Sequence, residues 1–411
     1  MTANNELGYI QWCNKIFSFT FICFSFITFS SLFPTGFSTV SFFVAFVAAL
    51  PVFFRRISEI KLNNYEVVGL ILFLWISMSI FWSDVPALDS LAALSEYRLY
   101  LMVPIFSLVL TTDRRTKRYT LIAGLLGASI ALFASWGIGL GWFVLPSGQN
   151  SLGDRIYHGF VMSVFLIACF CIARERYGFT RYFFLIVASL IFYNLVNMEN
   201  GRTGYLLLIT VTVVFAVLTF RGSNLVAAFL LTVVFCVLSF KYLAGFHDRV
   251  TQTLDNVEKM LVEDNYNSSV GYRLEFYRAA IEIGLDNPMV GVGVGDVASE
   301  LRAYWNVGKL RVLTDNVHSE YLNMLMVGGI PAVLLFALFL GLIIRQGLLQ
   351  RSRSRWLGDA MVGIGCIVVV ATLFNSSIKD YGEKQALIII FSLLNAMIAD
   401  FEIKKIKKAN L

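Results

Sequence analysis

The sequence predicts an all-α protein that crosses a membrane about twelve times and carries one large helical loop on its outer face. Three observations lead there. Of the 411 residues, 57% are apolar and 15% charged, with a mean hydropathy of +0.71, whereas soluble domains carry about 25% charged residues. Uncharged runs such as 16–33 and 225–238 recur along the chain, close to the roughly 20 apolar residues that take a helix across a bilayer. The basic residues sit in short clusters between those runs. This composition is wrong for a soluble enzyme. The net charge of +6, dispersed in clusters, does not form the continuous basic stripe that nucleic acid requires, so no nucleic-acid partner is expected.

Hydropathy places the spans at 15–33, 36–54, 66–82, 95–111, 119–140, 157–173, 182–198, 204–220, 225–243, 320–344, 357–374 and 386–400. The fourth is the weakest, because Glu96 and Arg98 intrude on its start. Alternate loops are basic: Arg55, Arg56 and Lys61; then Arg114, Arg115, Lys117 and Arg118; then Arg174, Arg176 and Arg181; then Arg221. Arg345, Arg351, Arg353 and Arg355 continue the series, and Lys404, Lys405, Lys407 and Lys408 close it. By the positive-inside rule this side is cytoplasmic, and an even number of spans puts both termini there. The whole of 1–411 is expected to be one transmembrane domain, with 244–319 a loop subdomain within it. No early apolar stretch ends in a small-residue cleavage site, so no removable signal peptide is expected. Cys13, Cys23, Cys169, Cys171, Cys236 and Cys366 lie in or beside apolar spans without metal-ligand spacing, and read as small buried hydrophobes.

What polar material remains faces outward: 141–156, 199–204, 375–385 and above all 244–319. The last is too long and too patterned for a linker. Helical alternation runs over 248–263. A second amphipathic helix over 273–285 shows Leu274, Tyr277, Ile281 and Leu285 on one face and stops at Asn287-Pro288. Both are expected on or in the outer membrane surface.

The candidate residues are on this side. Arg202, in Asn200-Gly201-Arg202-Thr203-Gly204, stands where the eighth span begins, so its guanidinium meets the positive end of a helix and its unpaired N–H groups, a ready anion site. Arg273 follows the capping serines Ser268 and Ser269 at the start of the second amphipathic helix. His318, one of three histidines, precedes the tenth span in Asp315-Asn316-Val317-His318-Ser319-Glu320. A helix N-terminus keeps such an imidazole neutral and able to accept a proton, and Asp315 or Glu320 is placed to orient the ring. Arg155 and His158 open the sixth span and are expected at the same mouth, whereas His247 reads as a surface residue. Gly291-Val292-Gly293-Val294-Gly295-Asp296 imitates a nucleotide loop but lacks any βαβ context, and reads as a tight backbone turn. Absence of an outward Asp-x-Asp pair argues against a carboxylate-held metal, and absence of charge clusters in mid-span argues against an ion-coupled transporter.

These motifs resemble the O-antigen ligase/polymerase superfamily of envelope enzymes, most closely the O-antigen ligases. The carriers are the twelve-span layout, the large loop between spans nine and ten, and four local patterns. Those are 200–204, Gly271-Tyr272-Arg273-Leu274-Glu275-Phe276-Tyr277, the Pro-x-x-Gly-x-Gly turn of 287–293, and His318-Ser319-Glu320-Tyr321-Leu322 continuing to Gly328-Gly329-Ile330-Pro331. Ala332 departs from the residues ligases often carry there. The resemblance implies a broadly GT-C-like membrane fold in the bacterial inner membrane with a periplasmic active site. It implies a metal-independent, inverting glycosyl transfer from an undecaprenyl-diphosphate-linked glycan to a hydroxyl of the lipid A-core, with no cofactor. Arg202 and Arg273 would hold the diphosphate, His318 would act as base, and Arg155 and Glu320 would assist in substrate binding. An O-antigen polymerase or a protein O-oligosaccharyltransferase would use the same donor; an exporter of lipid-linked sugars is the alternative of another class.

Overall fold

The computed structural model describes residues 3–142, 154–198, 201–263 and 265–409, and the expected outward segment 141–156 therefore lies largely outside the described residues, as do Asn200 and the side chains of the C-terminal lysines. The described residues are helical throughout, with no strand. Eleven helices are long and apolar enough to cross a membrane, and a bent pair supplies a twelfth crossing if taken as one span. All twelve expected spans have a counterpart, which makes this a polytopic membrane protein.

In chain order the helices are α1 (Ala3–Ser30), α2 (Thr35–Arg56), α3 (Asn64–Met78), α4 (Ala87–Leu94), α5 (Leu99–Leu110) and α6 (Arg114–Gly139). They continue as α7 (Arg155–Glu175), α8 (Gly178–Tyr193), α9 (Arg202–Thr219), α10 (Ser223–Tyr242) and α11 (Ala244–Glu263). Last come α12 (Ser269–Asp286), α13 (Val297–Asn306), α14 (Glu320–Gln350), α15 (Arg355–Phe374) and α16 (Tyr381–Ala409). The fourth span is the bent pair: Ala87–Tyr97 and Leu99–Leu110 meet at 51°. The bend falls at Arg98, next to the charges that weakened this span in the sequence.

Ion pairs tie one end of the bundle together. Lys117 at the start of α6 meets Asp400 on α16 at 2.7 Å. Asp359, buried near the start of α15, receives Arg174 from the end of α7 at 2.8 Å and Arg351 from just past α14 at 2.6 Å. Arg351 also donates to the Leu218 carbonyl at the end of α9. A carboxylate at that depth requires compensation, and two guanidiniums supply it. The basic clusters that alternate along the sequence thus come together on one face. On the opposite face the Tyr157 hydroxyl, from the start of α7, donates to the Thr28 carbonyl near the end of α1. Likewise the Tyr381 hydroxyl, from the start of α16, donates to the Thr35 carbonyl at the start of α2.

The Pro-x-x-Gly-x-Gly turn and the Gly-Gly pair explain each other. Gly328 and Gly329 leave helical geometry and break α14, Gly329 with φ +68°. A break inside a span exposes backbone polar groups, which must find partners. The turn provides them: the Val292 N–H donates to the Met326 carbonyl at 2.7 Å and the Ile330 N–H to the Pro288 carbonyl at 2.8 Å. The Trp75 indole takes the Gly328 carbonyl at 2.8 Å. Close approach requires glycine on both sides. A Cβ on Gly291 (φ +66°) would lie 2.3 Å from the Met326 oxygen, and one on Gly329 2.4 Å from the Pro288 oxygen. The tight turn read from the sequence is therefore a clamp on a broken helix.

Helix α12 corrects one expectation. It begins at Ser269, capped by the Ser268 hydroxyl, and not at 273. Its buried face is Phe276, Ala279, Ala280, Ile283 and Gly284, packed on α14, while Leu274, Ile281 and Leu285 are exposed. Small residues let helices approach, whereas branched aliphatic ones are free to face lipid. Replacing Gly291 by Ala should lower stability by roughly 1–3 kcal/mol, through strain and collision, whereas Gly36→Ala, with open space around it, should be neutral. Thermal unfolding of the two variants in detergent checks the difference.

Candidate functional site

Helices α7, α9 and α12 present their N-termini to one cavity of about 680 Å³, lined by Asp154, Arg155, Gly201, Arg202, Arg249, Ser269 and Arg273 among others. The convergence has a packing cause. Gly159 on α7 and Gly204 on α9 face each other, such that a Cβ on Gly159 would come within 3.1 Å of the Gly204 Cα. Only this absence of side chains lets the two helix starts lie side by side. Each N-terminus carries partial positive charge and unpaired N–H groups. Asp154 satisfies one of them, accepting from the Ile156 N–H at 2.9 Å.

Four guanidiniums surround this cavity. Arg202 donates through Nη1 to the Ser269 hydroxyl at 3.0 Å, which links α9 to α12, and its Nε is buried without a partner among the described residues. Arg273 lies one turn into α12, Arg155 opens α7, and Arg249 comes from α11, bonded to Gln252. The structure thus joins three sequence candidates, Arg155, Arg202 and Arg273, and adds Arg249. No sequence motif marks Arg249. It falls within an ordinary amphipathic helix and becomes relevant only because α11 packs on α12.

His318 lies in an adjoining cavity of about 430 Å³ that shares Asp154 and Ile156 with the first. Its backbone is left-handed, with φ +54°, a costly conformation for a non-glycine residue and one that accumulates at functional sites. Local bonds hold it there: its N–H donates to Asn316 Oδ1 at 2.9 Å, and its carbonyl accepts from the Tyr277 hydroxyl of α12 at 3.1 Å. The ring lies 6.2 Å from that of Phe276. Burial, and then the charge of Arg273, hold the imidazole below the usual histidine range, outweighing the opposite pull of Asn375, Asp315 and Asp154.

Two expectations about this histidine need correction. Among the described residues Nδ1 of His318 pairs with no carboxylate, so neither Asp315 nor Glu320 orients the ring through that nitrogen. Glu320 is fully buried, and its carboxylate accepts from the Ile378 and Lys379 amides at 3.2 and 3.4 Å. Its work is to tie the start of α14 to the 375–380 loop. His158 is likewise withdrawn from the mouth. It is 1% exposed, and its Nε2 pairs with Asn194 Oδ1 at 3.0 Å inside the bundle. His247 is at the surface beside Asp248, as expected.

The residues that complete the second cavity are Asn375, Asp380, Tyr381, Glu383 and Gln385. In the sequence their sole signal is a run of polar groups opening an apolar span, which is expensive unless the groups face a cavity. Burial raises the Asp380 carboxyl to about 6.

Fold and site together define a multi-pass membrane protein with a cationic cavity and a neutral histidine at one face of its bundle. Residues 184–337 match the model of the O-antigen ligase family. That segment contains Arg202, Arg249, Arg273, His318 and the Gly-Gly break, but neither Arg155 nor 375–385. No curated protein matches the chain.

Histidine NMR should place the His318 titration below that of a free histidine, and Arg273→Gln should move it upward. With the folded value depressed, the stability that depends on a neutral ring is complete above the ordinary histidine value near 6.5 and falls as the pH drops from there through the folded value.

Proposed function

We propose that this protein is an O-antigen ligase of the bacterial inner membrane. It transfers a glycan from undecaprenyl diphosphate to a hydroxyl on the outer core of lipid A-core, at the periplasmic face and with both termini cytoplasmic. One observation carries the reading: four arginines and three helix N-termini surround one cavity, next to a histidine kept neutral in a second. The family match over 184–337 supports it.

The chemistry follows from those groups. The acceptor oxygen attacks the anomeric carbon from the face opposite the diphosphate, which inverts the centre. His318 takes the hydroxyl proton as the new bond forms, a contribution of about 10²–10⁴-fold for a placed base. As the bond between the anomeric carbon and the diphosphate oxygen breaks, charge grows on the departing group. Arg202 and Arg273 oppose that charge, assisted by Arg155 and by the amide dipoles of α7, α9 and α12. A guanidinium suits the task because its planar fork can bond two phosphate oxygens together. Positive charge already fixed around the leaving group makes a metal unnecessary in this scheme.

With proteoliposomes supplied with lipid-linked glycan and lipid A-core, His318→Ala should cut transfer at least 100-fold while inserting normally. Arg202→Lys and Arg273→Lys should each lose tenfold or more despite keeping the charge. Activity should persist in excess EDTA, and a strict divalent-metal requirement would refute the scheme. In a deletion strain, the lipopolysaccharide gel should lose all ladder bands while lipid-linked polymer accumulates. A single-repeat band would identify a polymerase instead.

A further inference from the structure

The cavity that holds His318 differs in chemistry from the arginine cavity beside it. Among the described residues no Lys or Arg lines it, and its acidic lining groups are Asp154, Asp380 and Glu383. Such a field repels phosphate. Three aromatic rings, Phe33, Tyr157 and Tyr381, contribute to the wall, and both tyrosine hydroxyls are bonded to the protein, to Thr28 and Thr35 respectively. With the hydroxyls anchored, the tyrosine rings are held in place and offer apolar surface.

Between these elements are buried polar atoms with no partner among the described residues. They are both side-chain amide atoms of Gln385 and the Ser31 hydroxyl oxygen, and the side chains of Asn375 and His318, which interact with each other, line the same wall. Gln385 is 0% exposed. Buried polar groups are nearly always paired, so a cluster of unpaired ones on a single cavity wall points to a ligand that pairs them. The mixture of donors and acceptors limits its class. An anion is repelled, and a lipid tail would leave every one of these atoms unpaired. A cation would leave the Gln385 amide donors unpaired. An uncharged sugar satisfies the whole set. Its hydroxyls both donate and accept, and its C–H faces lie against aromatic rings.

We infer that this second cavity binds an uncharged sugar ring, the one whose hydroxyl receives the glycan, with Gln385 and Asn375 bonding its remaining hydroxyls. The inference rests on the transferase reading and deepens it, because it makes the receiving unit a neutral hexose and excludes a phosphorylated or acidic sugar. The acceptor O–H gives its proton to His318, and its oxygen bonds to the anomeric carbon. The electron pair of the broken glycosidic bond leaves with the diphosphate toward the arginines. Gln385 and Asn375 are positioning residues that set which hydroxyl reaches His318.

The test uses the full chain in lipid nanodiscs, with methyl glycosides of neutral hexoses and a hexose 6-phosphate as probes in saturation-transfer NMR. The same preparation is used for transfer kinetics in which donor and acceptor are varied separately. A neutral glycoside should bind at least tenfold more tightly than the phosphorylated sugar. Gln385→Ala should weaken that binding at least tenfold and raise the acceptor KM by a similar factor, leaving the donor KM within twofold. Gln385→Glu, nearly identical in shape, should do the same and covers the case in which the alanine variant fails to fold. Equal binding of neutral and phosphorylated sugars, unchanged binding in both variants, or a rise confined to the donor KM would overturn the inference. Absence of any glycoside binding would also overturn it, while transfer by the same protein would leave the ligase reading intact. Glycoside binding without any glycan transfer would instead end the ligase reading, and the acceptor role with it.

Discussion

Concentrated positive charge at one face is the constraint around which the rest of the structure is arranged. Arg155, Arg202, Arg249 and Arg273 surround a cavity onto which α7, α9 and α12 also open their positive ends. Like charges so close repel, and in partly desolvated surroundings the repulsion is stronger than in water. Packing elsewhere must therefore hold these elements together. Gly159 against Gly204 brings α7 to α9, and the Arg202–Ser269 bond joins α9 to α12. A diphosphate in that cavity would offset the repulsion, and it would be bound most tightly when its charge is greatest, at the moment of departure. This is the behaviour that accelerates a reaction instead of merely retaining a substrate.

The histidine is placed by a different device. Breaking α14 at Gly328-Gly329 separates a short outer segment, Glu320–Val327, from the long inner one, and the 287–293 turn clamps the break. Tyr277 and Asn316 then secure the backbone of His318, and Glu320 locks the helix start to the 375–380 loop. His318 and the arginines thus line separate cavities that share the wall formed by Asp154 and Ile156, with α12 reaching both through Arg273 and Tyr277. That separation gives each cavity its own field: cationic where a phosphate would leave, anionic and polar where a hydroxyl would enter.

Several features were legible because they are local. Helical spans follow from apolar length, and their orientation relative to one another follows from the alternation of basic loops, which the ion pairs at Asp359 and Asp400 bear out. Arg202 and Ser268 were legible because a helix start is visible in sequence. Leu274, Ile281 and Leu285 form an exposed apolar face of α12, whereas a second face with Phe276, Ala279, Ala280 and Gly284, unmarked in the sequence, packs between helices. In a protein that contacts lipid, burial between helices favours small residues such as Ala279, Ala280 and Gly284. Arg155 and His158 looked equivalent from their spacing, yet three residues along α7 turn one toward the cavity and the other onto Asn194.

By itself the sequence determined how many times the chain can cross a membrane, which ends of the helices share a face, and where the cations and histidines at the opposite ends fall. Each depends on residues near one another along the chain, through helix periodicity, capping and charge. Tertiary structure decided which of those groups meet. It recruited Arg249 from an unremarkable helix and withdrew His158 into the bundle. It released His318 Nδ1 from any carboxylate and supplied the second cavity from a loop more than fifty residues further on. Contacts across such distances depend on how whole helices pack, and that is set by small-residue approaches and a clamped break whose partners no local pattern names.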